Sequence, residues 1–76
     1  MPTAETASPV PVVARPAHPL HALTTYELRA YRRQLEHAIA FFAARTPVPP
    51  ARADLQARLD GVKHEQAERA ELAARA

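Results

Sequence analysis

Arg29, Arg32 and Arg33, with Tyr26 and Tyr31 close by, form the one basic cluster of this sequence. Arginine forks match phosphate oxygens and tyrosine faces stack on bases, so the combination suits recognition of a nucleic acid. Glu27 and Glu36 stand near enough to neutralise part of that charge. On a helix Arg29 and Arg33 share a face, whereas Arg32 points toward the edge of an apolar stripe and is placed to pair with Glu36. The plainer reading of the same residues is a solvated helical face with ion pairs.

The second constellation is His64-Glu65-x-x-Glu68, which sets His64 and Glu68 one helical turn apart. A zinc protease helix needs a histidine where Glu68 stands. A di-iron bundle needs Glu-x-x-His, which the chain lacks. His37 falls on the outer face of its helix, and His18 and His21 lie in a proline-rich segment. With no cysteine, disulfides and thiolate zinc sites are ruled out. One glycine and a single serine, Ser8, cannot build an anion-cradling loop or a nucleophile elbow. The expectation is therefore no catalytic residue, no metal, no cofactor and no enzymatic activity.

The elements that position these residues are few. The chain has 76 residues and 8 prolines, and Pro2, Pro9, Pro11, Pro16 and Pro19 crowd its start. Proline removes backbone donors and pushes its predecessor toward extended conformations, so residues 1–22 read as a disordered Pro/Ala-rich arm. Its apolar run Pro9-Val10-Pro11-Val12-Val13 could serve as a docking motif. Residues 23–76 read as the folding part. The hydrophobic fraction of 47% overstates the core, because much of it is alanine, which favours helix but buries little area. A net charge of +2 demands no nucleic-acid partner. Neither a secretory signal nor a run of apolar residues fit to span a membrane is visible, so a cytoplasmic protein is expected.

Leu23-Thr24-Thr25-Tyr26-Glu27-Leu28 marks a helix start. Thr24 and Glu27 have capping-box spacing, and Leu23 and Leu28 stand where a hydrophobic staple would place them. Helix 1 is predicted over about 25–45, with Leu28, Tyr31, Leu35, Ala38, Ile39 and Phe42 on one stripe. Pro47 stops it, a turn follows at 46–49, and helix 2 is predicted over about 50–74. Its stripe is Ala51, Leu55, Leu59, Val62, Gln66, Ala70 and Ala73. Asp54→Arg58, Glu65→Arg69 and Glu71→Arg75 add acid-first pairs one turn apart. Gly61 places a weak helix former inside this helix; the helix is expected to run through it, with a kink or a close backbone approach as the alternative.

The two stripes match by reflection. Phe42 faces Leu55, Ala38 faces Leu59, Leu35 faces Val62, Tyr31 faces Gln66 and Leu28 faces Arg69. All five pairs share one centre, between Val48 and Pro49, where the prolines already demand a turn. The predicted fold is all-α: an antiparallel, coiled-coil-like two-helix hairpin. Its layers turn polar at the open end, which Leu20, Leu23 and Leu72 would cover if the arm folds back.

Such a core is thin for an independent fold. Phe41 lies about 100° around the helix from Phe42, so one hairpin cannot bury both well. The preferred reading is a second interface, most simply a homodimer, with Tyr31, Phe41, Phe42 and Leu72 as candidate protein-interface residues; the plainer one is a partly exposed Phe41 leaning over the turn against Val48. The segment from Leu23 to Glu36, followed by a proline turn and a second charged helix, resembles small uncharacterised helical-hairpin proteins of actinobacteria over residues 23–69. That origin agrees with an arginine-to-lysine ratio of nine to one, as a GC-rich genome would produce. The resemblance implies a hairpin and brings no activity with it. A related signature, Glu-x3-Ser-x2-Arg-x3-Gln-x3-Asp of anti-sigma hairpins that bind cyclic dinucleotides, fails at Tyr31, Gln34, Ala38 and Phe42 when aligned on Glu27. The function expected is a non-enzymatic protein-interaction module of regulatory or adaptor type, which self-associates or docks on a larger protein. The alternative is a small nucleic-acid-associated regulator using Arg29, Arg32 and Arg33.

Overall fold

A computed structural model describes residues 11–76. Helix α1 spans Thr25–Ala43 and helix α2 spans Ala51–Arg75, packed against each other as a hairpin. A single 3-10 turn, Leu20–Ala22, precedes them. Neither helix is long and apolar enough to cross a membrane.

The start of α1 is set by side-chain chemistry. The Thr24 hydroxyl accepts from the Glu27 N–H at 3.0 Å, and the Glu27 carboxylate accepts from the Thr24 N–H at 2.8 Å. Two backbone donors that the helix leaves unpaired are thereby satisfied. The backbone bond to Thr24, followed by its side-chain bond, holds the Glu27 carboxyl below its ordinary pKa. The other end of α1 closes on Ala44, and the Thr46–Pro47 peptide bond is cis. Helix α2 begins without a side-chain cap. Pro50 already has helical geometry, and the N–H of Arg52 donates to the Pro49 carbonyl at 3.1 Å.

Leu28, Tyr31, Leu35, Ala38 and Phe42 are buried on α1, and Leu55, Leu59 and Val62 on α2. The α2 stripe is shorter than its sequence pattern: Ala51, Ala70 and Ala73 are exposed, and Gln66 is half-buried. Small side chains cannot hold two helices together where large ones are missing on both sides. Gly61 does not break α2, which runs through it to Arg75.

The arm is where structure and expectation part. Residues 11–23 do not trail away. They run back along the hairpin, antiparallel to α1 and parallel to α2, and they bury Val13 and Leu23 in the core. Leu20 packs against the same cluster, over Gly61. The expectation of disorder over 1–22 is thus corrected for its described part, 11–22; Pro9 and Val10 of the proposed docking motif lie outside the described residues. The physical reason is that Val13, Leu20 and Leu23 recur along the arm at intervals that reach apolar surface the two helices leave open. Leu28, at the nominally loose end, is accordingly only 1% exposed.

Candidate functional site

Apart from the Pro19 and Leu20 carbonyls, which accept from Ala22 and Leu23, the arm's carbonyls find no partner in its own backbone among the described residues, and a carbonyl held against protein needs a donor. One flank of α2 supplies them. Arg58 donates through Nη1 to the Val13 carbonyl at 2.8 Å. Eleven residues on, three turns along the same face, Arg69 donates through Nη2 to the Leu23 carbonyl at 2.6 Å. The same nitrogen approaches the carbonyls of Leu20 and His21 at 3.2 and 3.3 Å.

Each of these arginines is steadied by an acid one turn earlier. Asp54 Oδ2 accepts from Arg58 Nε at 3.1 Å, and Glu65 Oε2 accepts from Arg69 Nε at 2.9 Å. Asp54 also binds Arg15 of the arm, through Oδ1 at 3.2 Å. Burial works against the charge of Arg58, but the Tyr31 hydroxyl and Asp54 outweigh it and raise its pKa above the ordinary value. Between the two arginines, Gly61 offers a flat seat: a Cβ there would stand 3.4 Å from Leu20 Cδ1. The flank from Asp54 to Arg69 is a track that grips the arm by its main chain, at Val13 near one end and at the 3-10 turn near the other.

The basic cluster of α1 is divided. Arg32 is half-buried, donating to Glu36 at 3.1 Å and to Gln66 Oε1 at 2.8 Å across the hairpin. The Tyr31 face lies in the core, so it offers no stacking surface. Arg29 and Arg33 remain exposed, and among the described residues neither forms an ion pair. Tyr26 is exposed as well. His64 and Glu68 approach at 3.3 Å on the solvent side, and no group of three metal-binding side chains occurs among the described residues.

The four candidate interface residues also separate. Tyr31 and Phe42 are buried within this chain, so in this arrangement they are not offered to a partner. Phe41 is half-buried; its ring meets Phe42 edge-on, centroids 5.4 Å apart, and Arg45 lies 3.9 Å over its face. That stacking uses the ring on which the second interface was argued. Leu72 is 63% exposed. It lies eleven residues beyond Gly61, on the flank that the arm covers further back. At the open end a groove of about 470 Å³ is lined by Thr25, Leu28, Arg29, Gln66, Arg69, Ala70 and Ala73.

The sequence pattern sets Arg69 opposite Leu28 but gives neither Arg58 nor Arg69 a contact with the arm. Their signal was present in the repeated acid-first pairs eleven residues apart, but such pairs ordinarily decorate a solvated face. No protein-family model, curated protein or solved structure matches this chain.

Proposed function

We propose that this chain is a non-enzymatic protein-interaction module, a helical hairpin of regulatory or adaptor type that self-associates or docks on a larger protein. The observation that supports it is the unfinished open end. Leu72 stands exposed on the last turns of α2, and a groove opens between the helices at the same end, while the flank further back is covered by the arm. An apolar side chain rimmed by alanines and polar groups, at the end of a thin core, gains most from a second surface. The homodimer is the simplest form of this function. A cytoplasmic setting fits it, and the likeness to actinobacterial hairpins adds no activity.

The test is sedimentation velocity from ~1 µM to ~1 mM, where an associating chain shifts with concentration. Leu72→Glu should return the chain to the smaller species without loss of helix. A wild-type chain that stays monomeric and fully folded across that range, and that no partner retains, overturns the proposal.

Arg29 and Arg33 favour a second reading, since both are exposed, share a face and lack acidic partners among the described residues. On it, the chain is a small nucleic-acid-associated regulator, with Arg32 confined to bracing the hairpin. Binding would then weaken with rising salt and with Arg29→Ala/Arg33→Ala. Absence of DNA and RNA binding at ~50 mM salt removes this reading.

A further inference from the structure

We infer that the solvent ridge of α1 is a seat for single-stranded nucleic acid, with phosphates on Arg29 and Arg33 and bases on Tyr26 and His37. This rests on the second reading above and names its class of ligand. Tyr26, Arg29, Arg33 and His37 follow one another at intervals of three or four residues, so they line one face of the helix. All four are exposed, Tyr26 by 81%. From Tyr26 to His37 the ridge covers about 16 Å.

Packing clears this ridge of negative charge. Spacing alone sets Glu27 and Glu36 near the arginines, where they would cancel part of the charge. In the folded chain each is drawn to a flank. Glu27 lines a cleft on the arm side with Pro16 and His18, and its carboxylate accepts from the Thr24 N–H at 2.8 Å. Glu36 accepts from Arg32 at 3.1 Å, and Arg32 reaches on to Gln66 of α2. Among the described residues, neither carboxylate pairs with Arg29 or Arg33. The arm and α2 thus leave two uncompensated forks between them, which complement a polyanion.

The rings decide which polyanion. A duplex hides its base faces within the stack and would leave Tyr26 and His37 idle, whereas an unpaired strand offers those faces. Tyr31, the other tyrosine of the cluster, lies in the core, and His37 takes the second stacking position. A lipid surface fits less well. The large aliphatic residues of α1 are spent on the core, so the ridge has none to insert.

The test titrates the full chain, at ~50 mM salt, against labelled single-stranded oligothymidylate and oligouridylate of ~15 nucleotides. A DNA duplex of the same length and polyglutamate are titrated alongside, all read by fluorescence anisotropy. The single strands should bind ~10-fold or more tighter than the duplex or polyglutamate. Their log affinity should fall with log salt at a slope of about −1.4, as two neutralised phosphates give. Tyr26→Leu should weaken binding by ~5-fold or more and leave that slope unchanged, while Arg29→Ala/Arg33→Ala should remove it. On the wild-type chain, the Tyr26 ring protons should move upfield at saturation and those of Tyr31 should not. A duplex bound as tightly as the single strands, a Tyr26 ring that stays in place or a silent Tyr26→Leu overturns the single-strand assignment and leaves the nucleic-acid reading standing. Polyglutamate bound as tightly as the oligonucleotides overturns both, because the ridge then reads charge alone. If none of the nucleic acids binds, both fall as well.

Discussion

Arginines on the two helices of this hairpin meet different fates. On α2, Arg58 and Arg69 are half-buried, braced by Asp54 and Glu65, and spend their remaining donors on the arm's backbone. On α1, Arg29 and Arg33 point to solvent with no acidic partner among the described residues. Residue type is the same throughout. The difference is whether a proline-bearing segment, short of its own hydrogen bonds, lies within reach. Beside such a segment Arg58 and Arg69 become structural; on α1 only Arg32 does, through Glu36 and Gln66, while Arg29 and Arg33 stay available for a ligand or for nothing.

The comparison breaks most visibly at the arm's apolar anchors. Leu23→Ala should destabilise the fold by ~2–4 kcal/mol in urea titration, whereas Leu72→Ala should fall within ~0.5 kcal/mol. Equal effects would mean that the arm does not belong to the core. The arginines come next. Arg69→Ala should cost about 1–3 kcal/mol by stranding the carbonyls it serves, and Arg69→Lys should recover little because an ammonium cannot reproduce the fork. Arg29→Ala, measured alongside, should change stability by less than ~0.5 kcal/mol.

A smaller effect tests the junction between arm and helix. Thr24→Ala should cost about 1 kcal/mol through the lost cap. Because the folded chain holds the Glu27 carboxyl below its ordinary pKa, its contribution is present above the unfolded carboxylate range and is lost as pH falls through the depressed folded value. Glu27→Gln keeps the capping geometry and should flatten that part of the acid titration; an unchanged slope would detach the pKa from the cap. Smallest is Gly61→Ala. A Cβ at 3.4 Å from Leu20 is an ordinary contact, so the helix gain of about 0.5–1 kcal/mol should prevail and raise the melting temperature. A loss of stability there would show that Leu20 sits tighter over α2 than this geometry describes.

Much of the hairpin is legible in the residues. The Thr24–Glu27 spacing announces the start of α1 to the residue, and reflection through Val48–Pro49 pairs Leu35 with Val62, both fully buried. Arg32 stands one turn before Glu36 and pairs with it, as that spacing implies. The end of α1 came at Ala43 rather than Arg45, within the fraying expected of a helix terminus. The candidate interface was less legible. Tyr31 and Phe42 belong to the stripe and are used up by it, and Phe41 is covered by an arginine from the following turn.

What the sequence determined on its own is everything local or periodic: the cap, the two helices, the proline turn between them and the faces they bury. These follow from backbone donors, spacing near 3.6 residues and the geometry of proline, none of which needs a distant neighbour. Only the tertiary structure decided what the arm does and what Arg58 and Arg69 are for. Main-chain carbonyls are the same at every position, so a segment recognised through them carries no side-chain signature of its partner. Its docking becomes visible only when α2 brings two forks, three turns apart, to one flank.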